Sequence, residues 1–160
     1  LARALVSNPR ILFLDEPTTG LDPDARHDFW TLIADLRSQG YAILLTTHYM
    51  DEAERLCDRL LILQKGKVID EGAPKEIIER HAGAEALEID GVDESEFLAR
   101  LSYGAVWRRL FDGAFFVSVP GGDIQTLWES YHGLGVRVLK RRRSNLEDVF
   151  LLLTGKGLDS

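Results

Sequence analysis

A single cysteine, Cys57, rules out an internal disulfide, so packing alone must hold this chain together, and the composition suits a reducing compartment. Cys57 lies in an apolar-patterned stretch between Leu56 and Leu60 and reads as a small buried hydrophobe. Long hydrophobic runs are missing: nothing approaches the roughly 20 apolar residues of a membrane span. Leu1 does not begin a signal peptide, because no charged start precedes a long apolar stretch. The one methionine is Met50, and the chain opens inside a helix-like segment, Leu1 to Val6, so a fragment of a longer protein is expected. An excess of positive charge is also lacking. Nineteen Lys and Arg against 26 Asp and Glu leave a net charge of -7, which argues against nonspecific binding to nucleic acid or anionic lipid. What remains is 160 residues, 45% hydrophobic and 28% charged, enough to build one ordinary domain or two small ones around a packed core.

The order of elements points to an α/β fold. Ile11 to Leu14 is a continuous apolar run, as expected of a strand buried on both faces of a parallel sheet. Asp22-Pro23 supplies an N-cap and a first-turn proline; Phe29, Leu32, Ile33 and Leu36 follow at helical spacing, and Gly40 stops the helix. Ala42 to Leu45 is a second buried strand, Met50 to Leu56 a short helix, and Leu60 to Leu63 turns at Lys65-Gly66 into Val68-Ile69. After a helix over Pro74 to Arg80 the pattern changes at the linker-like His81-Ala82-Gly83-Ala84. Strand Leu87 to Ile89, a helix around Phe97, Leu98 and Leu101, a hairpin about Asp112-Gly113, helix Ile124 to Tyr131 and strand Val136 to Leu139 follow. That order, β-α-β-β-α-β, predicts a ferredoxin-like unit closed by a helix over Leu146 to Leu153. Two domains are expected, 1–82 and 83–160.

The chemistry concentrates at strand ends. An apolar strand running into Asp15-Glu16-Pro17 places two carboxylates at the carboxyl edge of a sheet, where α/β folds bind ligands. There an Asp can hold Mg²⁺ and its neighbour can orient or deprotonate a water attacking a phosphate. The same residues also fit a buried strand meeting an acidic turn. His48, at the end of the next strand after Thr46-Thr47, can reach the same crevice and donate to a phosphate oxygen. Asp22 reads equally well as a helix N-cap. Lys140 to Arg143 is a basic run in an acidic chain, read as a solvated strand end, with an anionic membrane surface or an acidic partner as the alternative.

Leu12-Phe13-Leu14-Asp15-Glu16-Pro17-Thr18-Thr19-Gly20-Leu21-Asp22-Pro23 closely resembles the Walker B and D-loop segment of ABC ATPases. Thr46-Thr47-His48-Tyr49-Met50-Asp51-Glu52-Ala53-Glu54 resembles their H-loop and following helix, and Leu1 to Leu5 the helix after their signature motif. The resemblance implies the C-terminal part of a P-loop NTPase domain that binds ATP and Mg²⁺. It makes Asp15 the Mg²⁺ ligand, Glu16 the catalytic base and His48 a γ-phosphate sensor, and it makes Asp22 a link across a nucleotide-sandwich dimer. Ser144-Asn145-Leu146-Glu147-Asp148-Val149-Phe150 through Gly155 is similar to the ending of ATPase subunits of ABC-2-type exporters of drugs, polysaccharides or lipid-linked sugars. The implied partners are a transmembrane permease subunit and a second ATPase subunit, on the inner face of the plasma membrane and without nucleic acid.

The 160 residues contain no G-x-x-x-x-G-K-[ST], whose backbone N–H groups and Lys cradle phosphates, and no Leu-Ser-Gly-Gly. They are therefore expected neither to bind ATP tightly nor to turn it over alone. A noncatalytic dimerisation or regulatory module, with the ferredoxin-like half as its working part, is the alternative. A DNA-repair ATPase is disfavoured because long heptad-patterned helices are absent.

Overall fold

The computed structural model describes Leu5, residues 9–132 and residues 136–155. The expected helix over Leu1 to Val6 lies outside the described residues except for Leu5. Elsewhere the chain is α/β, with eight strands and six helices among the described residues. It divides into two compact units, Leu1–Asp58 and Arg59–Ser160, so the hairpin after Asp58 groups with the C-terminal strands.

In the first unit β1 (Ile11–Asp15) pairs in parallel with β2 (Ala42–Thr46), Ile11 opposite Ala42 and Asp15 opposite Thr46. A parallel pair needs a crossover, supplied by α1 (Pro23–Ser38). Asp22 caps α1 by accepting the Ala25 N–H at 2.8 Å, Pro23 occupies the first turn, and Gly40, at φ +92°, ends it. Leu12, Ile33, Leu36 and Leu56 form the core, and burying each such side chain contributes about 1.5–3 kcal/mol. Leu32, expected on the same stripe, is exposed.

The expectation of strands buried on both faces is not met. Ile11, Phe13 and Leu44 are 53%, 73% and 59% exposed, whereas Leu12 is buried and Leu14, Ile43 and Leu45 pack against the core. Side chains alternate between faces, and in the described unit α1 covers one face only. The short helix α2 (Met50–Leu56) docks through Glu52, fully buried, which accepts the Trp30 Nε1–H at 3.1 Å, and through Arg37, which donates to the Leu56 carbonyl at 2.9 Å.

The second unit opens with the antiparallel hairpin β3 (Leu60–Gln64) and β4 (Lys67–Gly72), followed by α3 (Pro74–Ala82). Strands β5 (Glu85–Asp90), β6 (Val106–Arg109), β7 (Phe115–Ser118) and β8 (Val138–Arg143) then form one sheet in the order β6-β7-β5-β8, each neighbour antiparallel. Helix α4 (Glu94–Ala99) lies between β5 and β6 in sequence, and α5 (Ile124–His132) between β7 and β8. Leu87, Ile89, Phe115 and Val117 bury one face against Phe97, Ile124, Leu127 and Tyr131. Phe97 stacks on Phe115 with ring centroids 4.1 Å apart. Gly83, between α3 and β5, has φ +64°, and a Cβ there would sit 3.1 Å from the Val119 carbonyl oxygen, so the chain crosses there only as glycine.

The basic run forms the C-terminal end of β8, with Lys140, Arg141 and Arg143 exposed as expected of a solvated strand end, and acidic residues of β5 pair with it. Arg141 pairs with Glu85, Lys140 lies 3.6 Å from Glu88, and Arg142 donates to Glu88. Helix α6 (Leu146–Thr154) joins this face through Asp148, 2% exposed, which takes both terminal nitrogens of Arg142 at 2.7 and 2.9 Å. Three of the four cations of the run thus have partners inside the chain.

Candidate functional site

Because β1 and β2 run parallel and in register, their carboxyl ends finish side by side. Asp15 is the last residue of β1, Thr46 is opposite it, and the next residues carry Glu16 on one strand and Thr47-His48 on the other. His48 Nδ1 lies 3.4 Å from Glu16 Oε1, an ion pair when the imidazole is protonated; both side chains are about half exposed. Such a pair contributes little stability, about 0–1 kcal/mol, so its interest is chemical.

Local geometry aims these groups. Glu16 has φ +41°, the left-handed region, which costs a non-glycine residue about 1–3 kcal/mol and recurs at functional sites. Its N–H donates to the Thr46 carbonyl at 3.1 Å and to Thr46 Oγ1 at 3.0 Å. The Thr46 hydroxyl donates in turn to Asp15 Oδ1. Thr19 Oγ1 donates to Glu16 Oε2 at 3.2 Å, and the loop is closed by Thr19 N–H to the Glu16 carbonyl and Leu21 N–H to the Thr18 carbonyl, both 3.1 Å. Each Glu16 carboxylate oxygen therefore faces one neighbour, Thr19 on Oε2 and His48 on Oε1. On the other strand the His48 ring lies 4.2 Å from the Tyr49 ring, and the Arg26 guanidinium covers Tyr49 at 4.0 Å. Since α2 begins at Met50 and is docked on α1, the position of His48 is set from both sides.

Asp15, Glu16 and His48, singled out from the sequence, thus come together. Asp22 is not joined to them by any hydrogen bond or ion pair among the described residues, and its observed task is capping α1. Thr46, Thr19 and Arg26 escaped the sequence reading. Thr46 left no signal of its own, because its place opposite Asp15 follows only from the strand register. Asp15 is exposed and has one carboxylate oxygen engaged, a donor fit for Mg²⁺, which is typically held by one or two carboxylates together with phosphate oxygens and water. Among the described residues no cluster of three or more His, Cys, Asp or Glu forms a self-sufficient metal cage, so phosphate would have to supply the rest.

Known proteins match the same residues. The family "AAA domain, putative AbiEii toxin, Type IV TA system" matches residues 1–50. Nod factor export ATP-binding protein I of Mesorhizobium japonicum is 43% identical over 159 residues, 99% of this chain and 46% of that protein. The Burkholderia lata protein of the same name is 47% identical over 157 residues, 98% of this chain and 51% of its own length. The chain thus spans about half the length of the curated relatives it matches. Among solved structures, the ADP conformation of an ATP-binding cassette of an ABC transporter is 32% identical, with a TM-score of 0.45, covering 49% of this chain and 31% of that one. By the two sequence matches the chain is a homologue of about half of Nod factor export ATP-binding protein I.

Proposed function

We propose that this chain carries half of the catalytic apparatus of an ATP-hydrolysing subunit that energises an ABC-2-type exporter. The observation that carries the reading is the convergence of Asp15, Glu16 and His48 at the carboxyl edge of one parallel strand pair. Asp15 holds Mg²⁺, which when bound supplies charge neutralisation on the phosphate oxygens. Glu16 accepts the proton of the attacking water, with its carboxylate turned by the Thr19 hydroxyl and by His48. His48 donates a hydrogen bond to the γ-phosphate as charge grows there. Asp22, at the mouth of α1, signals across a nucleotide-sandwich dimer.

The relatives' printed role, export, supports an outward transport task. The partners are a transmembrane permease and a second ATPase subunit. No helix among the described residues is long and apolar enough to cross a membrane, in keeping with a peripheral subunit held at the cytoplasmic face by its permease. The β-α-β-β-α-β sequence and the sheet order β6-β7-β5-β8 support a ferredoxin-like accessory domain over 83–160, after an ATPase portion over 1–82.

The test is Glu16→Gln in the full-length parent. Nucleotide affinity should stay within about threefold while turnover falls by about 100-fold or more. Retained turnover removes Glu16 as the base.

A further inference from the structure

We propose that Thr46 is a positioning residue for this site, its hydroxyl fixing Asp15 and Glu16 relative to each other. The inference rests on the ATPase reading above and extends it to a residue with no assigned role. A hydroxyl has one proton to donate and two lone pairs to accept with, and Thr46 uses both capacities across the strand pair. It accepts the Glu16 N–H at 3.0 Å and donates to Asp15 Oδ1, so one oxygen links the two consecutive acidic residues. Two consequences follow. The Asp15 carboxylate is turned with Oδ1 engaged, leaving Oδ2 without a hydrogen-bond partner among the described residues. The Glu16 backbone is held at φ +41° by an amide that has two acceptors on the same residue.

The geometry also separates positioning from folding. The Glu16 N–H bonds the Thr46 main-chain oxygen as well, at 3.1 Å, so the strand pairing survives loss of the hydroxyl. Thr46 is exposed, and valine has the same β-branched shape, so Thr46→Val removes the hydroxyl without opening a cavity. A residue that only finished the strand would then leave the chemistry untouched.

The experiment compares Thr46→Val, Thr46→Ser and Glu16→Gln in the full-length parent. Expected for Thr46→Val is a kcat about tenfold lower or more, with Mg-ATP affinity, measured by calorimetry on the Glu16→Gln background, within about threefold. Thr46→Ser, which keeps the hydroxyl, should retain kcat within about threefold. Independently of activity, hydrogen exchange of the Glu16 amide should accelerate in Thr46→Val and stay near wild type in Thr46→Ser. The proposal is overturned by a Thr46→Val protein with unchanged kcat, or by a serine variant as impaired as valine. Nucleotide affinity falling as far as kcat also overturns it, because the hydroxyl would then be building the site rather than aligning it. If Glu16→Gln turns over like wild type, the ATPase reading itself fails and the role of Thr46 goes with it.

Discussion

The Tyr131 phenol lies fully inside the second unit's core and donates to the Phe97 carbonyl at 2.7 Å. Burial pushes its pKa up to about 12, only partly opposed by Arg100. In the unfolded chain the phenol ionises near 10, so the unfolded state gives up its proton first as pH rises. The stability this group contributes is therefore whole below pH 10 and lost between about pH 10 and 12. Tyr131→Phe should flatten that alkaline decline while lowering stability at pH 7 by about 1–2 kcal/mol, both read from urea unfolding as a function of pH. An alkaline decline as steep in the phenylalanine protein would place its origin elsewhere. At the same scale the site was only partly legible. Asp15, Glu16 and His48 stand out because charged residues closing apolar runs are conspicuous in a sequence. Thr46 does not, because a threonine at a strand end is ordinary until the register with Asp15 is known.

At the scale of elements, the closing helix α6 is attached by charge as well as by its apolar face. Asp148 is the N3 residue of the Asn145 capping box, accepts the Asn145 N–H at 3.0 Å and binds both terminal nitrogens of Arg142. The Asp148 and Glu88 carboxylates hold the Arg142 guanidinium firmly protonated. Removing Arg142 leaves the Asp148 carboxylate, 2% exposed, to the Asn145 N–H and the Arg108 guanidinium 3.6 Å away, so Arg142→Ala should cost about 3 kcal/mol. Arg141 makes a similar pair with Glu85, but both side chains are more than a third exposed and screened by water, so Arg141→Ala should cost clearly less than Arg142→Ala. Chemical denaturation of the two variants side by side decides this; equal losses would mean that burial is not what separates the pairs. The sequence placed β8 too early because Val136 to Leu139 is apolar and the four cations look like a strand's wet end. Acidic residues on β5, some 50 positions away, make a charged strand acceptable there.

For the molecule as a whole, the two apolar strands of the first unit leave Ile11, Phe13 and Leu44 facing solvent, and Leu61, Leu63 and Val68 do the same on the hairpin of the second. The same 160 residues hold the acidic strand end and the histidine but no glycine-rich phosphate cradle. Purified alone, they should show no heat of Mg-ATP binding in calorimetry up to millimolar nucleotide, about the weakest range that method resolves. Tight binding would reveal a second phosphate site and would break the reading of Asp15, Glu16 and His48 as half of one.

The sequence by itself determined the element order, the helix cap at Asp22, the turn at Lys65-Gly66 and the acidic strand end. These depend on neighbours within a few residues, where propensity, capping and hydrophobic period act. Only the tertiary structure decided which face of β1 is covered, that β8 carries the basic run, and that Thr46 bridges Asp15 and Glu16. Each of those depends on register between segments some 30 to 56 positions apart. Local preferences carry no information about register; packing and cross-strand pairing set it.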